Sequence, residues 1–268
     1  MAKLNKYEAE QVAAIEAWKN EKPSIALAAF DRVTAPVTRA LARVIPLTLA
    51  KKAIEGANNL SQYAIDARGV MRGADVKSIE AMRSKSLRVS DHLAHDSHVL
   101  SMALSGAGGA VLGATGIGGI ALDVGSLLTL SLRTIHRIGL CYGFEHVNEQ
   151  LVLGILAVSS AGSQNERTNS IELLKGVEVM TLDDVWQDVA KDALFTGAAR
   201  GGAYFTMRRV SLQMSQNFAK RKAAQLVPLV GGAIGAATNI CFLRDVGWAS
   251  RRVFQERWLI DNGRLTAG

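Results

Sequence analysis

Two uncharged stretches constrain this chain more than any other feature. The first extends from Val99 to Leu122 and contains "GAGGAVLGATGIGGIAL"; the second, Ala223 to Leu243, reads "AAQLVPLVGGAIGAATNICFL". Each interior glycine costs a helix about 1 kcal/mol of propensity relative to alanine. Such density therefore needs a structural return, and three are available: a phosphate cradle, a membrane-inserting segment, or helices packed backbone to backbone. A phosphate loop needs Gly-Lys-Ser/Thr at its end, and here the first run continues into Ile-Ala-Leu-Asp. "GATGIG" has no strand before it and no crossover strand after it, so a dinucleotide loop is set aside as well. Glycine at four-residue spacing strips a helix face to backbone and lets a second helix approach closely.

The runs resemble each other. A shift of 122 positions places Gly109 on Gly231, Gly113 on Gly235, Ala114 on Ala236, and Asp123-Val124-Gly125 on Asp245-Val246-Gly247. Both are long enough for the roughly 20 residues that span a hydrocarbon core. Their flanks argue otherwise. Lys220-Arg221-Lys222 precedes the second run and Arg244 follows it, whereas His98 and Asp123 bound the first, so neither shows a one-sided basic bias. The expectation is that both form the buried core of a water-soluble body, with an integral protein of Gly-rich hairpins as the alternative.

Elsewhere the periodicity is helical. Val12, Ile15 and Trp18 recur at helix spacing. Thr181 is placed to cap a helix with Val185, Trp186, Val189 and Leu194 on one face, and Pro36 and Pro46 stand at first-turn positions. Gly176 after Lys175 reads as a helix stop, and no stretch alternates with period two. The chain is expected to be all-α: one compact multi-helix domain over residues 1–268, with the two Gly-rich helices packed together at its centre. The polar interval 72–86 is the candidate seam between an N-terminal helical part and the Gly-rich part. Cys141 and Cys241 make no disulfide or zinc pattern, and the charged N-terminus lacks a signal-peptide core. Both point to a cytoplasmic protein.

The net charge of +7 is concentrated: residues 200 to 268 hold 11 Lys and Arg against 3 acids. Arg208, Arg209, Lys220, Arg221, Lys222, Arg251 and Arg252 are the candidates for binding an anionic surface. Nucleic acid is not the expected partner, because no recognition motif accompanies the basic clusters.

"GIGGIALDVGSLLTLSLRTIHRIGLCYGFE" and "QLVPLVGGAIGAATNICFLRDVGWASRRVFQERWL" resemble the EcsC family of bacterial proteins. Its members carry a Gly-rich apolar stretch, an Asp followed by an apolar helix with a late arginine, and a Tyr-Gly pair. Toward their C-terminus they carry a Val-Pro-x-x-Gly-Ala-like helix ending in Phe and basic residues. The matching positions are Gly113, Gly116, Asp123, Arg133, Tyr142 and Gly143, then Pro228, Gly231, Gly235, Asn239 and Phe254. "YEAEQVAAIEAWKN" and "IPLTLAKKAIEGA" are similar to the family's opening, so the resemblance spans most of the chain. Gly125 departs from the pattern where proline is expected, and Gly232 where alanine is. The resemblance implies a non-enzymatic accessory protein peripheral to the inner membrane. Its implied partner is an anionic bilayer or a membrane protein complex such as an ABC transporter or secretion system. It implies no cofactor.

One constellation points to a different class. In "SDHLAHDSH", Asp91, His95 and His98 fall at i, i+4 and i+7 of a helix, a two-histidine, one-carboxylate stripe of the kind that binds a divalent transition metal. A metal-dependent hydrolase or oxidoreductase centred there is the rival reading. Asp123 and Arg133 are the other polar residues inside apolar sequence. An inter-helix ion pair or a helix cap is the expected role of Asp123, with Arg244 as a candidate partner, and a catalytic or proton-relay role is the alternative.

Overall fold

A computed structural model describes residues 3–22, 60–112, 116–147, 149–175 and 231–266. They form seven α-helices and no strand, the class the periodicity predicts. These are α1 (Lys6–Lys19), α2 (Leu60–Ala74), α3 (Leu87–Leu112), α4 (Gly116–Cys141), α5 (Glu149–Ser160), α6 (Gln164–Lys175) and α7 (Gly231–Asp261), with a 3-10 helix (Glu80–Ser84) ahead of α3.

Helix α1 begins at a reciprocal cap. Asn5 accepts from the Glu8 amide at 2.8 Å, and the Glu8 carboxylate accepts from the Asn5 amide at 2.9 Å. Ile15 and Trp18 face the core, as their spacing implies. Helix α7 is the spine: it packs most extensively along α3 and also touches α4, α5 and α1, while α3 lies against α4. The core between them contains Leu132, Ile135, Ile138, Tyr142, Phe242, Val246 and Phe254. Helix α5 is buried on every side, from Leu151 to Ser160, because its sequence is apolar all round rather than on one face.

The polar interval 72–86 turns the chain between α2 and α3. Asp75 takes a left-handed φ of 50°, and Ile79 and Met82 of the interval are buried in the same core cluster as the helices on both sides of it. The first glycine-rich run is divided: α3 ends at Leu112 and α4 begins at Gly116. Among the described residues, no helix is long and apolar enough to cross a membrane. The helices expected after Pro36 and Pro46, the one capped by Thr181, and the stop at Gly176 lie outside the described residues.

Two glycines mark where α3 and α7 come close. A Cβ on Gly106 would stand 2.8 Å from Ile240 Cδ1, and one on Gly247 would overlap the His98 ring. At both points a helix backbone is met by a side chain that a larger residue would displace.

The expectation of wholly buried runs needs correction. Val99, Leu100 and Leu104 of the first run are 44%, 44% and 48% exposed, and Ile240 of the second is 39% exposed. On the same stretch of α3, Ser97, Ser101 and Ser105 are buried. The inward row is small because it sits where helices press together, and each serine satisfies its hydroxyl on its own helix. Ser97 donates to Leu93 O and Ser101 to Ser97 O, both at 2.9 Å, and Ser105 to Met102 O at 2.8 Å. Once small residues hold the interface, the large apolar ones are left outside.

Candidate functional site

Asp91, on the second turn of α3, is 3% exposed and accepts three hydrogen bonds. Tyr142 donates to Oδ1 at 2.5 Å, Gln255 Nε2 to the same oxygen at 2.7 Å, and Tyr7 to Oδ2 at 2.6 Å. These donors come from the turn after α4, from α7 and from α1, so one carboxylate joins four parts of the chain. The network extends through Gln11: its Oε1 accepts from Gln255 at 3.3 Å and from Arg252 Nη1 at 3.1 Å, and Arg252 also donates to Gln255 Oε1 at 2.8 Å. Burial, followed by the Asp91 charge and hydrogen bond, pushes the Tyr142 phenol well above its ordinary range, and the same causes raise Tyr7. Both phenols therefore stay protonated as donors. A carboxylate enclosed in this way has no open side for substrate; its chemistry is to hold helices in register.

The three residues of the alternative metal stripe diverge into different surroundings. Asp91 turns into the tyrosine and glutamine network. His95 is exposed, with Nδ1 3.4 Å from Arg251 Nη1. His98 is 2% exposed, against Gly247 and edge-on to Trp248 at 5.9 Å. Burial first, then the Arg251 charge, lowers the His98 pKa to about 4, so its ring is neutral at physiological pH. Among the described residues, no three His, Cys, Asp or Glu side chains are grouped to hold a metal ion. On an adjoining stripe of α3, His92 and Asp96 are four residues apart and meet at 3.8 Å in solvent.

Arg251 and Arg252 do not extend a solvated basic face. Arg251 is 9% exposed and Arg252 half-buried, and both guanidiniums sit over the Trp248 ring, at 4.5 Å and 5.1 Å. Helix spacing of i+3 and i+4 from Trp248 produces this stacking. Arg208, Arg209, Lys220, Arg221 and Lys222 lie outside the described residues.

The motif arginine finds a partner that sequence reading missed. Arg133 Nε and Nη2 grip Asp66 of α2, each at 2.9 Å, and Arg137 Nη1 adds a third contact at 3.3 Å. Arg137 also reaches Ser97 at 3.2 Å, and Ser97 lies 3.8 Å from Cys141. Burial pushes the Cys141 thiol up to about 12, so it is an inert core residue. Asp66, Tyr7, Gln11 and Gln255 carry no local signature, because each partner comes from a distant helix.

The remaining motif positions are structural. Gly143 has φ of 85° and packs on Arg83, whose Nε donates to its carbonyl at 3.0 Å, so a side chain there would be both strained and obstructed. Phe254 packs with the rings of Tyr142 and Phe144, centroids 6.3 and 5.4 Å away. Asn239 is buried in α7, Gly116 starts α4, and Gly231 and Gly235 lie in the first turns of α7. Asp123 is within α4, with its side chain outside the description; Arg244 bonds its neighbour Asp245 at 2.9 Å. Gly113 and Pro228 lie outside the described residues.

Comparison with known proteins places most of the chain in one family. The family model described as the EcsC protein family matches residues 9–259. A curated relative, the uncharacterized protein YdbA of Bacillus subtilis (strain 168), is 24% identical over 193 residues, covering 71% of this chain. The matched part spans 65% of that relative's length. No solved structure matches the chain.

Proposed function

This chain belongs to the EcsC protein family, and on that footing we propose that it is a non-enzymatic accessory protein attached peripherally to an anionic membrane surface. The observation that carries the reading is the reversed polarity of α3 near its C-terminal end. Serines face the helix interface while Val99, Leu100 and Leu104 face outward, and Ile240 of α7 is exposed against Gly106 of α3. Helices in contact with lipid are built this way, with small residues inside and large apolar ones outside. The arrangement suits shallow entry into the boundary between headgroups and acyl chains, with Arg208, Arg209, Lys220, Arg221 and Lys222 supplying attraction to anionic lipid.

Flotation with protein-free vesicles tests it. Removing two half-exposed leucines from the contact forfeits about 2 kcal/mol, so Leu100→Ser with Leu104→Ser is expected to weaken binding about thirtyfold. Unchanged binding of the double variant would defeat the assignment of this end. Attachment to native membranes but not to vesicles would assign the contact to a membrane protein complex, the ABC transporter expected from the family resemblance being one such partner.

A further inference from the structure

Arg252 links the Asp91 network to a cleft of about 710 Å³ formed by α1, the end of α5, α6 and α7. That volume is within the range that accommodates small ligands. Two of its cations are unusual. Arg167 of α6 is only 8% exposed; its Nη2 donates to the Trp18 carbonyl at 2.7 Å, its guanidinium lies 5.0 Å over the Trp18 ring, and its Nε has no hydrogen-bond partner among the described residues. Its acidic neighbours, Glu21 and Asp245, act on it through space, and burial lowers its affinity for its proton. Arg252, on α7, stacks on Trp248 and directs its Nη1 to the amide oxygens of Gln11 and Gln255 rather than to a carboxylate.

A buried guanidinium with an idle donor is costly unless an anion compensates it. Lys22 and Arg244 also line the cleft, Arg244 bonded to Asp245 at 2.9 Å; with Glu21 that places two carboxylates against four cations, so the lining is net positive. One guanidinium fork satisfies a planar carboxylate, whereas a tetrahedral phosphate accepts from several forks at once. Beside these cations the lining turns apolar, through Ala14, Ala17 and Val158. We infer that this cleft binds the phosphate group of an organic phosphate ester, clamped by Arg167 and Arg252, with the ester's apolar part against Trp18 and Val158. The ester is either a free small molecule or the head of a phosphatidic-acid-type lipid. The inference does not depend on membrane attachment through α3.

The test titrates the full chain with butyl phosphate by calorimetry and, separately, with phosphatidylcholine vesicles containing phosphatidic acid. Saturable one-to-one binding of butyl phosphate, weakened at least about tenfold by Arg167→Gln and by Arg252→Gln, supports the site with a free ester as ligand. Binding to the acidic vesicles alone, weakened by the same substitutions, supports it with lipid as the source. Binding to neither probe overturns it, as does binding that both variants retain. Vesicle binding that survives Arg167→Gln and Arg252→Gln but is lost in the Leu100→Ser, Leu104→Ser variant would uphold the membrane reading while overturning the cleft. If Arg167→Gln fails to fold by circular dichroism, Arg252→Gln and Arg244→Gln carry the comparison.

Discussion

Asp91 and His98 lie two helical turns apart on α3 and are buried in different surroundings. Asp91 is held by three donors, so truncating it leaves the Tyr142 hydroxyl and the Gln255 amide buried without their acceptor. Asp91→Ala is expected to cost about 4 kcal/mol, and Tyr142→Phe, which removes one bond and leaves the carboxylate two donors, about 2 kcal/mol. Urea unfolding midpoints give both values, and the reverse order would show that Asp91 is not the centre of the network. His98 has a folded pKa of about 4 against an ordinary 6.5. The unfolded chain therefore binds the additional proton between those values, and stability falls as pH drops from 6.5 to 4 before levelling off. The shift corresponds to about 3 kcal/mol. His98→Leu should flatten the stability profile across that window; the slope that remains would come from other groups such as His136, also lowered by burial. A variant profile as steep as the parent's would contradict the assignment.

Helix α7 against α3 is the principal contact in the fold, and its glycines are unequal. At Gly247 an added Cβ collides with the His98 imidazole, a rigid ring held between backbone and Trp248. At Gly106 the obstacle is the outer end of the Ile240 side chain, which is 39% exposed and free to change rotamer. Gly247→Ala is accordingly expected to destabilise by about 3 kcal/mol and Gly106→Ala by less than about 1 kcal/mol. Adding His98→Ala to Gly247→Ala should recover part of the loss, a non-additivity that a double-mutant cycle in thermal unfolding reads directly. Strict additivity would mean that ring and glycine do not compete for the same space.

The molecule as a whole combines an apolar end with a strongly basic C-terminal third, and the two respond differently to salt. The distance over which charges act shrinks from about 10 Å at 0.1 M salt to about 3 Å at 1 M. Contact between apolar side chains and lipid does not weaken in the same way. Attachment to anionic vesicles is therefore expected to fall, but not vanish, as salt is raised, and to vanish when high salt is combined with Leu100→Ser and Leu104→Ser. Salt-independent attachment, measured by co-sedimentation, would remove the basic residues from the interaction.

Much of this was legible before any coordinates. Helix class follows from periodicity, a local property: Ile15 and Trp18 face the core because their spacing places them on one side of α1. Family membership was likewise readable, because the resemblance rests on contiguous residues such as Tyr142-Gly143. The pairs that matter inside the fold were not. Tyr7 meets Asp91 across 84 positions, Gln255 meets it across 164, and Asp66 meets Arg133 across 67. No spacing rule reaches that far, so the stripe Asp91, His95, His98 looked like one ligand set until packing sent each side chain to a different neighbour. Polarity differs from the sequence reading as well: an uncharged run predicts burial, but here α3 buries Ser101 and Ser105 and exposes Val99, Leu100 and Leu104. Sequence determines how many residues are apolar, whereas the closeness of two helix backbones decides which of them fit between.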